Sequence, residues 1–369
     1  MTTAVHMLYD NLMVLVLTFL FVLAFTPFMM KMARAANFVD QPNARKVHTK
    51  VTPLGGGLAV FTGFLLFSFY GVCVTAIRPF DLALLGYLGG AAVVVLLGLI
   101  DDRFGMTPIP KLIGQLVACG LFLGSHWLYY PDFLKLFGPV WLSIPIIVLW
   151  MIGLMNALNF LDNMDGIISG MAGILALGFY TISFMSKTPA LAAQSRFISL
   201  FSLTFAGAIL GFLPHNFRPA KIFLGDAGSM FVGYFLSTMG ILLGRLAVTS
   251  RASKLYFLLP VLLLSFAIFD ISLVSYTRKR DGRRVSQGGK DHTTHRIGTA
   301  MQSVTITALV VYLINAVIVI TTVLVYRTHS ALLLVLLTAI FSALFLLFAH
   351  KLDQIPIVVP KNQLKEPPA

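Results

Sequence analysis

The sequence predicts an all-α integral membrane protein, a single domain of about eleven transmembrane helices. Three observations predict it. Of the 369 residues 58% are hydrophobic and only 11% are charged, with a mean hydropathy of +0.88, whereas a soluble domain carries roughly a quarter charged residues. Apolar runs of about 20 residues, enough to cross a bilayer as a helix, recur along the chain. The 27 Lys and Arg residues are unevenly divided between the loops on the two sides of those runs.

The first run, 8–30, is longer than a signal-peptide core. No basic segment precedes it and no small-residue cleavage site follows, so it reads as a span that stays. The next runs are 55–76, 82–100, 112–128, 139–157, 166–186, 197–213, 227–244, 255–276, 301–326 and 330–349. Segments 112–128 and 197–213 carry small or polar residues, and each could face protein rather than lipid. Gly86/Gly90 and Gly207/Gly211 have the G-x-x-x-G spacing of packed helices. Cys73 and Cys119 lie in separate spans without a metal or redox spacing and read as small packing residues. The longest polar insert is 277–300, so residues 1–350 form one polytopic domain, followed by a tail at 351–369.

If the first span ends at Met30, the loops on that side hold 19 Lys and Arg, against 8 on the other. The basic excess marks that side as cytoplasmic. The N-terminus is then expected outside and the C-terminus inside. Loop 245–254, with Arg245, Arg251 and Lys254, runs against this rule.

Five polar concentrations fall on the basic side: "RKVHTKVTPLGGG" (45–57), "DDRFGMTPIPK" (101–111), "NALNFLDNMDGI" (156–167), "PHNFRPAKIFLGDAGS" (214–229) and "RKRDGRRVSQGGKDHTTHR" (278–296). A helix bundle would gather them into one site. Asp101 and Asp102 end an apolar run, and adjacent carboxylates repel unless a cation relieves them. They read as Mg²⁺ or Mn²⁺ ligands or as a solvated span end. Asn156, Asn159 and Asn163 are spaced i, i+3, i+7, with Asp162 and Asp165 beside them, as on one polar helix face. They read as a cavity lining or as interhelical hydrogen bonds. Asp165-Gly166 reads as a helix break. Asp226 in "FLGDAGS" suits a helix N-cap, or a carboxylate beside a metal–phosphate assembly. The glycines of "PLGGG" could let backbone amides approach an anion. His292, His295 and Arg296 are directional phosphate donors. Asp270 is an intramembrane acid, functional or structurally paired. Arg278–Arg284 abut a span and read as an orientation signal and a headgroup contact. The composition of the site points to metal-dependent chemistry on anionic substrates at the membrane surface.

The five motifs, in this order, resemble the polyprenyl-phosphate N-acetylhexosamine-1-phosphate transferases over about residues 30–300. The chain looks like the branch that loads GlcNAc-1-phosphate onto undecaprenyl phosphate to start teichoic acid, O-antigen or similar glycans. That resemblance implies Asp226 as a Mg²⁺ ligand, with Asp101 and Asp102 handling metal or preparing the acceptor phosphate. It makes Asp162 and Asp165 the third acidic motif, with Asn159 as polar companion. Asn216 and Lys50 would contact the nucleotide, Lys111 would serve beside the Asp pair, and His292, His295 and Arg296 would hold the diphosphate or sugar. The relatives that transfer phospho-MurNAc-pentapeptide carry three consecutive histidines there. Here Thr293 and Thr294 separate two, which favours a UDP-N-acetylhexosamine donor without peptide. The implied partners are that donor, undecaprenyl phosphate and membrane lipids, with no nucleic acid. The implied location is the bacterial cytoplasmic membrane, multi-pass, with the site facing the cytoplasm. The oligomeric state stays open between monomer and homodimer. The pentapeptide transferase is the alternative within the family. A transporter is the alternative outside it, but it would place charges near midplane and often show inverted repeats.

Overall fold

The computed structural model describes residues 2–41, 51–74, 82–129, 131–186, 189–285 and 289–357. Helix α1 (Thr2–Ala35) leads into a two-residue ribbon, β1 (Val39–Asp40) paired antiparallel with β2 (Thr52–Pro53). The chain continues through α2 (Gly56–Val74), α3 (Leu82–Phe104), α4 (Pro108–Tyr129), α5 (Val140–Leu161), α6 (Ile167–Met185), α7 (Ala192–Asn216) and α8 (Gly225–Arg251). Helices α9 (Leu258–Leu263), α10 (Ser265–Arg280), α11 (Thr293–Met301), α12 (Val304–Thr328) and α13 (Ala331–Asp353) complete it. Among the described residues ten helices are long and apolar enough to cross a membrane, and the segment containing α9 and α10, bent by 72°, passes the same test only when its two parts are taken together. The eleven expected runs correspond to these ten helices and the bent pair. The expected run 301–326 is divided differently: α11 ends at Met301 and the span begins at Val304.

Helix α8 is the central post. Of its most apolar stretch 89% is buried, against 6% for α13, which faces outward nearly all round. The same measure separates the two ambiguous segments: α7, at 78%, faces protein, whereas α4, at 33%, is largely outward. In lipid no water is expelled between helices, so close van der Waals packing and hydrogen bonds must hold them. Glycines supply the approach. A Cβ on Gly57 of α2 or Gly98 of α3 would collide with the α8 backbone at Gly228 and Ala227. Both G-x-x-x-G pairs act in packing: Gly207 and Gly211 lie against carbonyls of α1, and Gly86 and Gly90 against carbonyls of α4. Around them Phe64, Phe201, Phe205, Phe231 and Phe235 form a ring cluster, with Phe205 and Phe235 stacked at 3.8 Å.

Three features of the loops differ from expectation. The Gly56 and Gly57 amides donate to the carbonyls of Phe223 and Leu224, and the Phe223 amide donates to Pro53. They tie α2 to the approach to α8 and are not offered to an anion. Arg245 and Arg251, on the sparsely basic side, have protein partners. Arg245 donates to Gln194 and lies over the Phe133 ring, while Arg251 donates to the Tyr326 carbonyl and lies over its ring. Finally, α13 continues to Asp353, Leu352 packs with Phe269, Leu273 and Ile297, and Asp353 pairs with Arg280. The folded body thus reaches past residue 350.

Candidate active site

Four helix ends converge at one end of the bundle, because α8 begins where α3 and α5 finish and α4 starts. Lys111, in the first turn of α4, donates to Asp101 Oδ2 at 2.6 Å, Asp226 Oδ2 at 2.8 Å and Asn159 Oδ1 at 3.3 Å. Asn159 in turn donates to Asp226 Oδ1 and Ser229 Oγ, each at 2.9 Å. Asp101 Oδ1 accepts from the Met106 amide at 2.6 Å, across a turn in which Gly105 takes a φ of +68°. That conformation strains any residue with a Cβ.

Asp101 and Asp102 do not act as a pair. The Asp102 carboxylate turns away and accepts from the Asp226 amide at 2.8 Å and the Ala227 amide at 3.2 Å. It caps α8 from another helix, satisfying donors that the first turn leaves open. The cap expected of Asp226 is thus supplied by Asp102, and Asp226 itself lies inside the first turn. The carboxylates that share one cation are Asp101 and Asp226.

The polar stretch after α5 splits likewise. The helix stops at Leu161, and Gly166 opens α6 at a φ of +77°, so the expected break is present. Asn163 therefore lies off the helix face it was assigned to, and accepts from Thr294 Oγ1 at 2.7 Å. Asn156 donates to Gln115 at 3.0 Å, one layer beneath Lys111. Asp165 accepts from the Ala220 amide and pairs with Arg218 at 3.6 Å. Asp162 lies against the cluster. Withdrawal from water, then the charges of Asp226, Asp102 and Asp165, push its carboxyl up to about 8. Asn216 is buried and bonded on both sides, accepting from Ser169 and donating to the Ile222 carbonyl. It shapes the 217–224 turn, and its amide is not presented to a ligand. Lys50 lies outside the described residues.

The histidine loop is built on Asp291. Burial alone would raise its pKa, but the Arg278 fork at 2.7 and 2.9 Å, with His292 and Arg283, holds it down to about 2. Arg278 and Arg283 are thus buried partners of Asp291, not headgroup contacts. Arg296 is buried as well, donating to the carbonyls of Asp291 and Leu352. Its assignment to the donor diphosphate gives way to a bracing role. His292 is buried against Asp270. His295 lines a polar cavity of about 470 Å³ with Met164, Arg218, Lys290, Gln302 and Ser303. Burial, then His292 and Lys290, lower its pKa to about 4, so it is neutral at physiological pH.

The cluster suits a hard divalent cation by charge and donor type: Asp101 and Asp226 face one ammonium, Asp102 and Asp162 lie close enough to Asp226 for their charges to be felt, and all their ligand atoms are oxygen. In the arrangement present, no three acidic, histidine or cysteine side chains among the described residues converge on one point, and Lys111 stands between Asp101 and Asp226. Sequence reasoning missed Gln115 and Ser229, although their spacing of four from Lys111 and three from Asp226 marks the same helix faces. Asp291 and Asp353 as anchors had no local signal.

A multi-span bundle with a carboxylate–lysine cluster and a polar cavity at one end defines a polytopic membrane protein with a charged site at the end of its spans. The chain belongs to glycosyl transferase family 4, whose profile matches residues 84–244. It is 32% identical over 306 residues to a probable undecaprenyl-phosphate N-acetylglucosaminyl 1-phosphate transferase of Bacillus subtilis, covering 81% of this chain and 80% of that protein. It is 32% identical over 294 residues to a decaprenyl-phosphate N-acetylglucosaminephosphotransferase of Mycobacterium tuberculosis, covering 74% and 72%. A phospho-N-acetylmuramoyl-pentapeptide-transferase of Shouchella clausii is 31% identical over 236 residues, covering 59% and 69%.

Proposed function

We propose that this protein transfers N-acetylglucosamine-1-phosphate from UDP-GlcNAc to undecaprenyl phosphate, releasing UMP and forming the lipid diphosphate sugar that starts a cell-surface glycan. The observation that carries this reading is the Lys111–Asp101–Asp226–Asn159 cluster at the end of four apolar helices, where a lipid-borne phosphate and a soluble nucleotide can meet. The names of the relatives from Bacillus subtilis and Mycobacterium tuberculosis support it.

In the proposed reaction an oxygen of the lipid phosphate attacks the sugar-linked phosphorus, and the bond to the UMP oxygen breaks. The attacking phosphate, with a second pKa of about 6, needs little help losing its proton. The protein's work is therefore placement and charge neutralisation. Asp226 and Asp101 are the residues that would hold Mg²⁺ or Mn²⁺, with the Asp162 carboxyl, which feels the charge of Asp226, beside them. Such an ion would neutralise the diphosphate and polarise the bond that breaks. Lys111 orients those carboxylates and offers its ammonium to phosphate oxygen. Asp102 holds the first turn of α8 in place, and Asn159 fixes the rotamer of Asp226. His295, neutral, and Lys290 face the polar cavity and would meet the sugar and diphosphate.

The direct test is to incubate purified protein with UDP-GlcNAc, undecaprenyl phosphate and Mg²⁺ and to measure UMP and lipid product. The donor is expected to be UDP-GlcNAc or a close UDP-N-acetylhexosamine, with UDP-MurNAc-pentapeptide rejected. A higher kcat/KM for the pentapeptide donor would make the protein a MurNAc-pentapeptide transferase instead. A transporter is disfavoured because the acids gather at one end of the bundle.

We further propose that this end faces the cytoplasm of a bacterial cell, with the N-terminus outside. In a background lacking Cys73 and Cys119, cysteines at 160, 220 and 290 should be labelled only from the cytoplasmic side, and one at 132 only from outside. Labelling of 220 and 290 from opposite faces would contradict a single site.

A further inference from the structure

His292 has both ring nitrogens directed at protein. Nδ1 lies 2.8 Å from Asp270 Oδ2, and Nε2 lies 3.5 Å from an amino nitrogen of Arg278. Asp270 is wholly buried in α10, and its other oxygen accepts from the Thr293 amide at 2.7 Å, the first amide of α11. One carboxylate therefore orients the imidazole and caps the helix that follows it. The Asp270 carboxylate can only accept, so Nδ1 carries a proton, and the Arg278 guanidinium stands on the far side of the ring. His292 is 3% exposed, whereas His295, one turn on along α11, lines the polar cavity.

We infer that Asp270 is a positioning residue which, through His292 and the Thr293 amide, sets the angle of α11 and so aims His295 into the cavity, and that His292 is a strut rather than a substrate ligand. This division of labour explains why the two histidines are three residues apart. One faces α10 and the other faces the cavity. The inference rests on the transferase reading for its kinetic arm and on the geometry alone for its chemical arm.

For the kinetic arm, His292→Ala and Asp270→Ala should each lower kcat/KM for the UDP-sugar by roughly 10–100-fold, the size seen when a histidine loses its orienting carboxylate. The KM for the lipid phosphate should not move. The double variant should be no worse than Asp270→Ala alone, because the His292 contact is already lost with the carboxylate. His292→Asn keeps an N–H where Nδ1–H stood but has nothing at Nε2, and it should recover to within about 10-fold of wild type. For the chemical arm, diethyl pyrocarbonate should modify His295 well before His292 in the wild-type protein, read by mass spectrometry. Asp270→Ala, or Asp270→Asn if the first does not insert, should bring the His292 rate up to that of His295. If His292→Asn is as inactive as His292→Ala, His292 touches substrate and the inference fails. If His292 stays protected without the Asp270 carboxylate, Asp270 does not position it. If the wild type turns over no UDP-N-acetylhexosamine, the transferase reading falls while the modification pattern still decides the placement.

Discussion

Asp226→Asn is expected to abolish turnover in a protein that inserts and unfolds like the wild type. Asp226 Oδ2 accepts from Lys111 at 2.8 Å and Oδ1 from Asn159 at 2.9 Å. An amide replaces one of those acceptors with a donor, so N–H would face either the lysine ammonium or the asparagine amide. It is also a poorer ligand for Mg²⁺ than a carboxylate. Asp101→Asn should cost at least about 100-fold, the scale of losing one well-placed electrostatic group. Asp102 should behave differently. Asp102→Asn retains one acceptor for the α8 amides, so its main effect should be a cap-sized loss of stability of about 1 kcal/mol. Steady-state kinetics beside thermal unfolding separates the two classes. EDTA should remove activity, and Mg²⁺ or Mn²⁺ should restore it. Full activity of Asp226→Asn, or of the wild type in metal-free buffer, would remove the basis of the metal assignment.

Lys111→Met should lower kcat by at least about 100-fold while keeping the apolar stem. The ammonium is the one cation bonded to both Asp101 and Asp226 among the described residues. Without it, two carboxylates and the neighbouring Asp162 are left to repel one another. Lys111→Arg should not rescue, because three acceptors at 2.6–3.3 Å surround a point charge and a planar fork cannot match them. The Mg²⁺ dependence is informative in the Met variant. The uncovered carboxylates should take the ion at no higher concentration than before, so the loss belongs to kcat. Near-wild-type kcat in Lys111→Met would make the lysine a structural tie.

The span count and the convergence of polar motifs were legible because both depend on local pattern. A run of about 20 apolar residues has one stable solution in lipid, a helix. Polar residues confined to alternate loops must then gather at one end. The glycine pairs were legible for the same reason, since only small residues let backbones meet. The roles within the site were less so. Asp101 and Asp102 are neighbours with the same chemistry, and the sequence treats them alike. They differ because successive side chains on a helix point about 100° apart, one toward α4 and the other toward the start of α8. Arg296 looks like a ligand for the donor diphosphate in the sequence and Arg278 like an orientation signal and headgroup contact, but carboxylates and carbonyls of their own chain reach them first.

By itself, the sequence determined that the chain is a membrane-spanning helical bundle, which loops carry its charge, and which family its motifs resemble. These follow from hydropathy, charge and residue order, which are properties of single segments. Only the tertiary structure decided which partner each polar group takes. Lys111 meets Asp226 across 115 positions and Asp102 caps a helix 124 positions away. His292 turns to Asp270 while His295 turns to the cavity. Such pairings depend on how helices with similar apolar surfaces are ordered around α8. That order is set by glycine contacts and buried hydrogen bonds between distant segments, which leave no periodic trace in the sequence.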